Sequence, residues 1–242
     1  SATSVPKEYT TLLSRIDTST QTINSDILGR KVSETDFRNM KTDYDYDSTS
    51  RINCINSPDF SKQCQIYDGW NKLARKKLSN GVIFNYKYDG LKRIIEKVAT
   101  DQNGNKETTS YQYDQERDGF YNKGLLTKEK KVGIAINYNY NIYSLLQEKT
   151  FLINDISYTF EYEYSPLKKL TSIIYPDKST LRYSYFNSGH LKDIIYLDST
   201  SDSSSSKMIS FNNYSAYGKP KTISFGNKLK LTRIFDNWGR TL

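Results

Sequence analysis

Apolar and polar residues alternate along most of the chain. In FEYEYS, Phe160, Tyr162 and Tyr164 share one side and Glu161 and Glu163 the other; in FNYKYD, Phe84, Tyr86 and Tyr88 oppose Asn85 and Lys87. A period of two with aromatic residues on one side predicts half-buried β-strands. Helical periodicity is scarce, although the stretch from Val5 to Ile16 has room for a short helix.

The alternating segments repeat. YKYDGLKRI (86–94), YEYSPLKKL (162–170) and YSYFNSGHL (183–191) share one plan: tyrosine, spacer, tyrosine, polar turn, basic or histidine position, aliphatic residue. Taking the second tyrosine as anchor gives Tyr46, Tyr67, Tyr88, Tyr113, Tyr140, Tyr164, Tyr185 and Tyr214, with Phe235 in the last copy and a degenerate copy opening at Ser25. Of the intervals between these ten anchors, five are 21 residues and the others 25, 27, 24 and 29. An aliphatic residue stands six past six of the anchors: Ile52, Leu73, Ile94, Leu146, Leu170 and Leu191. A second turn is expected twelve to fourteen residues past the anchor, at PDF (58–60), SNG (79–81) and PDK (176–178). Proline presets the first turn angle, and Gly or Asn tolerates the left-handed one. Each unit therefore reads as two short strands and two turns. Such units are not stable alone and must lie side by side in one repeat sheet. Residues 21–242 form this all-β domain, and 1–20 precede it as a candidate cap for the sheet edge. Two insertions break the rhythm, DQERDGFYNKG (114–124) and a Ser-rich loop at 198–207 expected to be mobile and exposed.

Composition fits a sheet with little thick core. The 242 residues are 36% hydrophobic yet include 21 tyrosines and 10 phenylalanines. Tyrosine suits half-buried surface, because its ring packs while its hydroxyl stays wet. No apolar run is long enough to span a membrane. The opening SATSVPKEYT lacks the pattern of a signal peptide, and the chain reads as a processed piece or a fragment. The net charge of +8 is spread along the sequence, as in a solvated surface, and no specific nucleic-acid site is expected.

With these repeats in view, the chain resembles the RHS or YD-repeat family. YDGLKRI, FDNWGRTL, SDILGRKV and YPDKSTLRYSY carry the likeness, over about residues 20 to 242. The family includes shell-forming subunits of bacterial insecticidal toxin complexes, polymorphic Rhs toxins and wall-associated proteins. The resemblance implies a spiralling β-sheet that wraps into a hollow cocoon around a toxic C-terminal domain. Neither the aspartyl self-cleavage segment of toxin-releasing members nor a payload domain is visible, and ten repeats are too few for a closed shell. The expected role is therefore a shell segment, secreted or on a bacterial surface. Its expected partners are other parts of the same shell, or a partner subunit, and an enclosed toxin domain. The alternative is a glycan-binding or adhesion module using the tyrosine-rich basic face.

Candidate chemistry is sparse. Aspartate follows the anchor at 26, 47, 68, 89, 114 and 236, and a basic residue stands five past it at Arg30, Arg51, Lys72, Arg93, Lys169, Lys219 and Arg240. Local turn bonding explains the aspartates; the sharper reading is a ladder of Asp–Arg pairs tying neighbouring units. The single histidine, His190, takes the basic position of its repeat, which explains it without catalysis. DYDYD (43–47) places carboxylates two apart on a strand, a weak cation site that tyrosine alternation already accounts for. No phosphate loop, metal-spaced Cys/His set or nucleophile elbow occurs, so no catalytic residue, cofactor or metal is expected. Cys54 and Cys64 are equidistant from Asp59. A three-residue hairpin loop at PDF opposes them directly; a two-residue loop puts them on opposite faces. Two free buried thiols are the plainer reading; opposition makes a disulfide feasible, and an oxidised pair would point outside the cytoplasm. This loop would place bulky Phe60 in the left-handed region, which is unfavourable.

Overall fold

A computed structural model describes residues 8–14, 20–199 and 205–242. The fold is all-β, with no helix among the described residues. The chain divides into two compact units, Ser1–Ser110 and Tyr111–Leu242.

The first unit holds β1 (Glu8–Ser14), β2 (Thr20–Asp26), β3 (Lys31–Thr35), β4 (Lys41–Tyr46), β5 (Ile52–Ser57), β6 (Ser61–Tyr67), β7 (Leu73–Lys77), β8 (Ile83–Tyr88) and β9 (Ile94–Thr100), with β10 (Lys106–Tyr113) running past its end. The second holds β11 (Leu126–Lys131), β12 (Ile134–Tyr140), β13 (Leu146–Ile153), β14 (Ile156–Tyr164), β15 (Leu170–Ile174), β16 (Thr180–Tyr185), β17 (Leu191–Leu197), β18 (Ser205–Tyr214), β19 (Pro220–Phe225) and β20 (Lys230–Thr232). Within each unit every strand pairs antiparallel with its sequence neighbours, and among the described residues no contact with any other strand is seen. Among the described residues each unit is thus a meander with no second layer packed on it.

Each of the eight anchor tyrosines ends a strand, and each of the six aliphatic residues six past an anchor begins the next. Register slips at Tyr46, Tyr67, Tyr88, Tyr140, Tyr164 and Tyr185. The cause is the turn beyond. The residue four past the anchor is left-handed in nine copies, from Gly29 and Ser50 to Gly218 and Gly239, with φ from 58 to 84°. That is a type I turn closed by a one-residue bulge, which raises the local twist. The last anchor, Phe235, forms an isolated bridge with Thr241.

Two expectations change. The segment proposed as a short helix contains β1, paired with β2 from Glu8↔Asp26 to Ser14↔Thr20; the ladder satisfies its backbone, and Thr10 and Thr11 suit a strand. In the PDF hairpin, the left-handed residue is Ser61 (φ 57°) rather than Phe60. The small side chain takes the strained place, and Phe60 keeps an allowed conformation. Of the Ser-rich loop, 200–204 lie outside the described residues, while Ser205 to Lys207 already belong to β18.

The core is thin. Ile223 is the sole buried hydrophobic residue among those described. The accessible surface is 16685 Å², against about 11,000 Å² for a compact monomer of this mass.

Candidate functional site at the anchor turns

One construction recurs at the anchor end of the strands. The anchor hydroxyl donates to the carbonyl of the aliphatic residue that opened the preceding unit's second strand. Tyr88 reaches Leu73 at 2.9 Å, Tyr164 reaches Leu146 and Tyr185 reaches Leu170, both at 2.8 Å. Tyr46 makes the same bond to Lys31 and Tyr214 to Leu191. The ring lies half-buried while the polar tip is satisfied. Burial pushes the hydroxyl pKa of Tyr88, Tyr140 and Tyr164 up.

The aspartate after the anchor closes its own turn. Asp47 Oδ1 accepts from the amides of Thr49 and Arg51, and Oδ2 accepts from Arg51 Nε at 2.7 Å. Asp26 with Arg30, Asp89 with Arg93 and Asp236 with Arg240 repeat the pairing. The Arg93 amide, followed by its guanidinium, holds the Asp89 carboxyl below its ordinary range, against the opposing effect of burial. Arg240 does the same for Asp236.

The basic side chain also reaches forward. Arg30 lies 4.6 Å from the ring centre of the next anchor, Tyr46, and Arg51 lies 4.5 Å from that of Tyr67. Arg30 donates to Ser50 Oγ and Arg51 to Asn71 Oδ1, each four past the next anchor. Lys169 lies over Tyr185 and donates to the Gly189 carbonyl; Lys219 lies over Phe235 and donates to the Gly239 carbonyl. His190 stacks on Tyr214 at 4.5 Å. Both readings of the aspartate–arginine pattern therefore hold in part. The ion pair is local to its turn, while the cation ties that turn to the next.

One interval departs from this plan. Asp68 Oδ1 accepts from the amides of Trp70 and Lys72. Among the described residues, however, no cation reaches Asp68 Oδ2, no carboxylate or ring meets Lys72 Nζ, and no cation covers Tyr88. The space is a cavity of about 610 Å³ lined by Asp68, Trp70, Lys72, Tyr86, Tyr88 and Lys92 among others. Lys169 and Lys219 show that a lysine can reach the next ring. Each does so toward a glycine, whereas Lys72 would meet Lys92, a like charge, at that place. The residues two past the anchors here are Gly69 and Gly90, beside which a Cβ would meet nothing within 4 Å, so the mouth stays open.

Cys54 and Cys64 are directly opposed in register and joined, with Sγ–Sγ 2.14 Å and Cα–Cα 4.1 Å. The DYDYD carboxylates go to separate cations: Asp43 to Lys41, Asp45 to Lys62 and Asp47 to Arg51. The 114–124 insertion is ordered around Arg117, which donates to Asn139 Oδ1 and to the carbonyls of Tyr138 and Thr127, while buried Asn122 accepts from the Tyr140 amide. Sequence reasoning missed that hub. It also missed the residues three past the anchors, where Leu28, Trp70, Leu91, Tyr143, Leu167, Tyr217 and Trp238 all project into solvent. Seven large apolar residues in ten copies was the available signal.

The repeat of hairpins defines the class of fold, and solved structures share it. The Tc holotoxin pore of Photorhabdus luminescens, with a mutated TccC3, matches at a TM-score of 0.78 and 14% identity over 92% of this chain and 12% of that one. TcdB2–TccC3 with Cdc42 matches at 0.70 and 12% identity over 93% of this chain and 14% of that one. TcdB2–TccC3 alone matches equally well. The chain thus spans about one-seventh or less of the chains it resembles. No known family's sequence profile matches it, and no curated protein does.

Proposed function

We propose that the chain is a segment of an RHS/YD-repeat shell that encloses or presents a toxin domain. The observation that carries this reading is the single sheet layer in each unit, with 16685 Å² of accessible surface and a thin core. A wall has this anatomy: its strands are tied edge to edge, and stability comes from repetition rather than a packed interior. The exposed apolar row three past the anchors is surface that adjoining parts of a shell, or a partner subunit, would cover. The Cys54–Cys64 bond supports work outside the cytoplasm, in a secreted particle or at a bacterial surface.

The test is single-particle imaging of the native polypeptide recovered with an antibody to this chain. A hollow particle with density inside is expected. A free 28.1 kDa monomer with no associated chain would overturn the reading.

A second reading, a glycan-binding module on the tyrosine-rich basic face, draws support from one place: the open interval between Asp68 and Lys92.

A further inference from the structure

The open interval has the chemistry of a ligand site. Its cavity of about 610 Å³ lies within the size range of small-molecule sites. Trp70 is 70% exposed, with the Lys92 ammonium 5.0 Å from its ring centre. Together Tyr88 and Trp70 supply flat apolar faces, and Asp68 Oδ2 supplies an acceptor with no donor among the described residues.

In the preceding interval a guanidinium fills the equivalent space, but the local charge rejects a cationic ligand here. Three lysines line the cavity, and among the described residues only Lys87 of these has a carboxylate partner, Glu96 at 2.8 Å. Asp89, the second aspartate, is already held by Arg93. Lys72 and Lys92, with no carboxylate partner among the described residues, thus line the same cavity as one carboxylate oxygen, Asp68 Oδ2, that takes no donor there. The fitting ligand offers an apolar face to the rings, a hydroxyl to Asp68 and a carboxylate to the lysines.

We propose that this cavity binds an acidic pyranose, a uronic-acid unit of a glycan. Its ring lies against Trp70 and Tyr88, a hydroxyl donates to Asp68 Oδ2, and its carboxylate accepts from Lys72 and Lys92. The site rests on the glycan-binding reading and is independent of the shell reading.

The protein carries its own reporter, because it has two tryptophans and Trp238 is remote in sequence from the cavity-lining residues. In a Trp238→Phe chain Trp70 is the sole tryptophan, and excitation selective for tryptophan over the tyrosines reads it alone. A hyaluronan hexasaccharide should shift that emission saturably, with cellohexaose bound more weakly and the difference shrinking at high salt. Lys72→Arg on the same background should weaken the hexasaccharide by about tenfold or more, because arginine can pair with Asp68 and cover Tyr88. Calorimetry of Trp70→Ala, with circular dichroism to confirm folding, should show the same loss. Equal binding of both sugars without salt dependence would overturn the acidic-pyranose assignment. Undiminished binding in both folded variants would overturn this site while leaving a glycan-binding surface elsewhere. No heat and no emission change with either sugar would remove both.

Discussion

Two neighbouring intervals of the first unit share a scaffold and differ in what fills them. Between Tyr46 and Tyr67, Arg51 pairs with Asp47, covers Tyr67 and reaches Asn71. Between Tyr67 and Tyr88, Lys72 does none of the equivalent things, and a cavity stands open. Yet both intervals keep the 21-residue spacing, the left-handed residue four past the anchor and the register slip at the closing tyrosine. The frame is therefore set by turn and tyrosine, and the filling by one side chain and its charged neighbour. A repeat can lose its plug without losing its fold.

If the frame rests on the tyrosines, truncating one should have the largest effect. Tyr88→Ala removes a half-buried ring and the bond to the Leu73 carbonyl, and should cost about 2–4 kcal/mol in denaturant unfolding. Tyr88→Phe keeps the ring and should cost about 1 kcal/mol. Equal costs for the two variants would assign the whole effect to the hydroxyl. A negligible cost for both would show that the frame is set elsewhere.

The strands flanking the closed interval carry a second lock, the Cys54–Cys64 bond between β5 and β6. Its loop is short, with a sequence separation of 10, so reduction should cost about 2–3 kcal/mol at most. Thermal melts with and without reductant measure this. Hydrogen exchange should show the loosening at β5 and β6 before β8 and β9. Uniform loosening would mean that the two intervals unfold as one.

Acid should act on the turns. Asp89 and Asp236 have carboxyl pKa values lowered in the folded state, first by the amides of Arg93 and Arg240. A lowered folded pKa contributes stability that is present above the unfolded value, about 3.9. That contribution is lost as pH falls through the folded pKa. Melting temperature should therefore hold at neutral pH and drop below about pH 4. Asp89→Asn should flatten the drop. An unchanged acid limb in that variant would mean that other carboxylates control it.

Most of the frame was legible in the sequence because it is written in period. Strand ends at the anchors and strand starts six residues on follow from spacing and alternation, whereas the spacing of Cys54 and Cys64 left two hairpin loops open and the register decides for opposition. What was not legible depends on the third dimension. The forward reach of Arg51 to Asn71 joins residues 20 apart in sequence. The gap at Lys72 depends on its spatial neighbour Lys92, which stands where Arg30 and Arg51 meet Ser50 and Asn71 and where Lys169 and Lys219 meet glycine. Phe60 was misplaced because the hairpin shifted its strain one residue on, to Ser61. The Arg117 hub sits in an insertion, where the repeat gives no guidance.

The smallest effect separates frame from filling most sharply. Arginine at position 72 would stand to Asp68 as Arg51 stands to Asp47, able to engage Oδ2 through Nε and to cover the next anchor ring. An exposed ion pair contributes about 0.2–1 kcal/mol and an exposed cation–π contact about 0.5–1 kcal/mol. The gain is reduced because a longer cation must lie beside Lys92 and lose rotamer freedom. Lys72→Arg should therefore stabilise the chain by about 0.5 kcal/mol, read as a shift in the denaturant midpoint at constant slope. Arg51→Lys should cost a similar amount, and less than Tyr88→Ala. Its new lysine would face Asn71 rather than a like charge, so the closed interval should keep part of its cover. A destabilising Lys72→Arg would show that like charge at Lys92, rather than the missing guanidinium, keeps the interval open, and Lys92→Gly would then be the change that closes it.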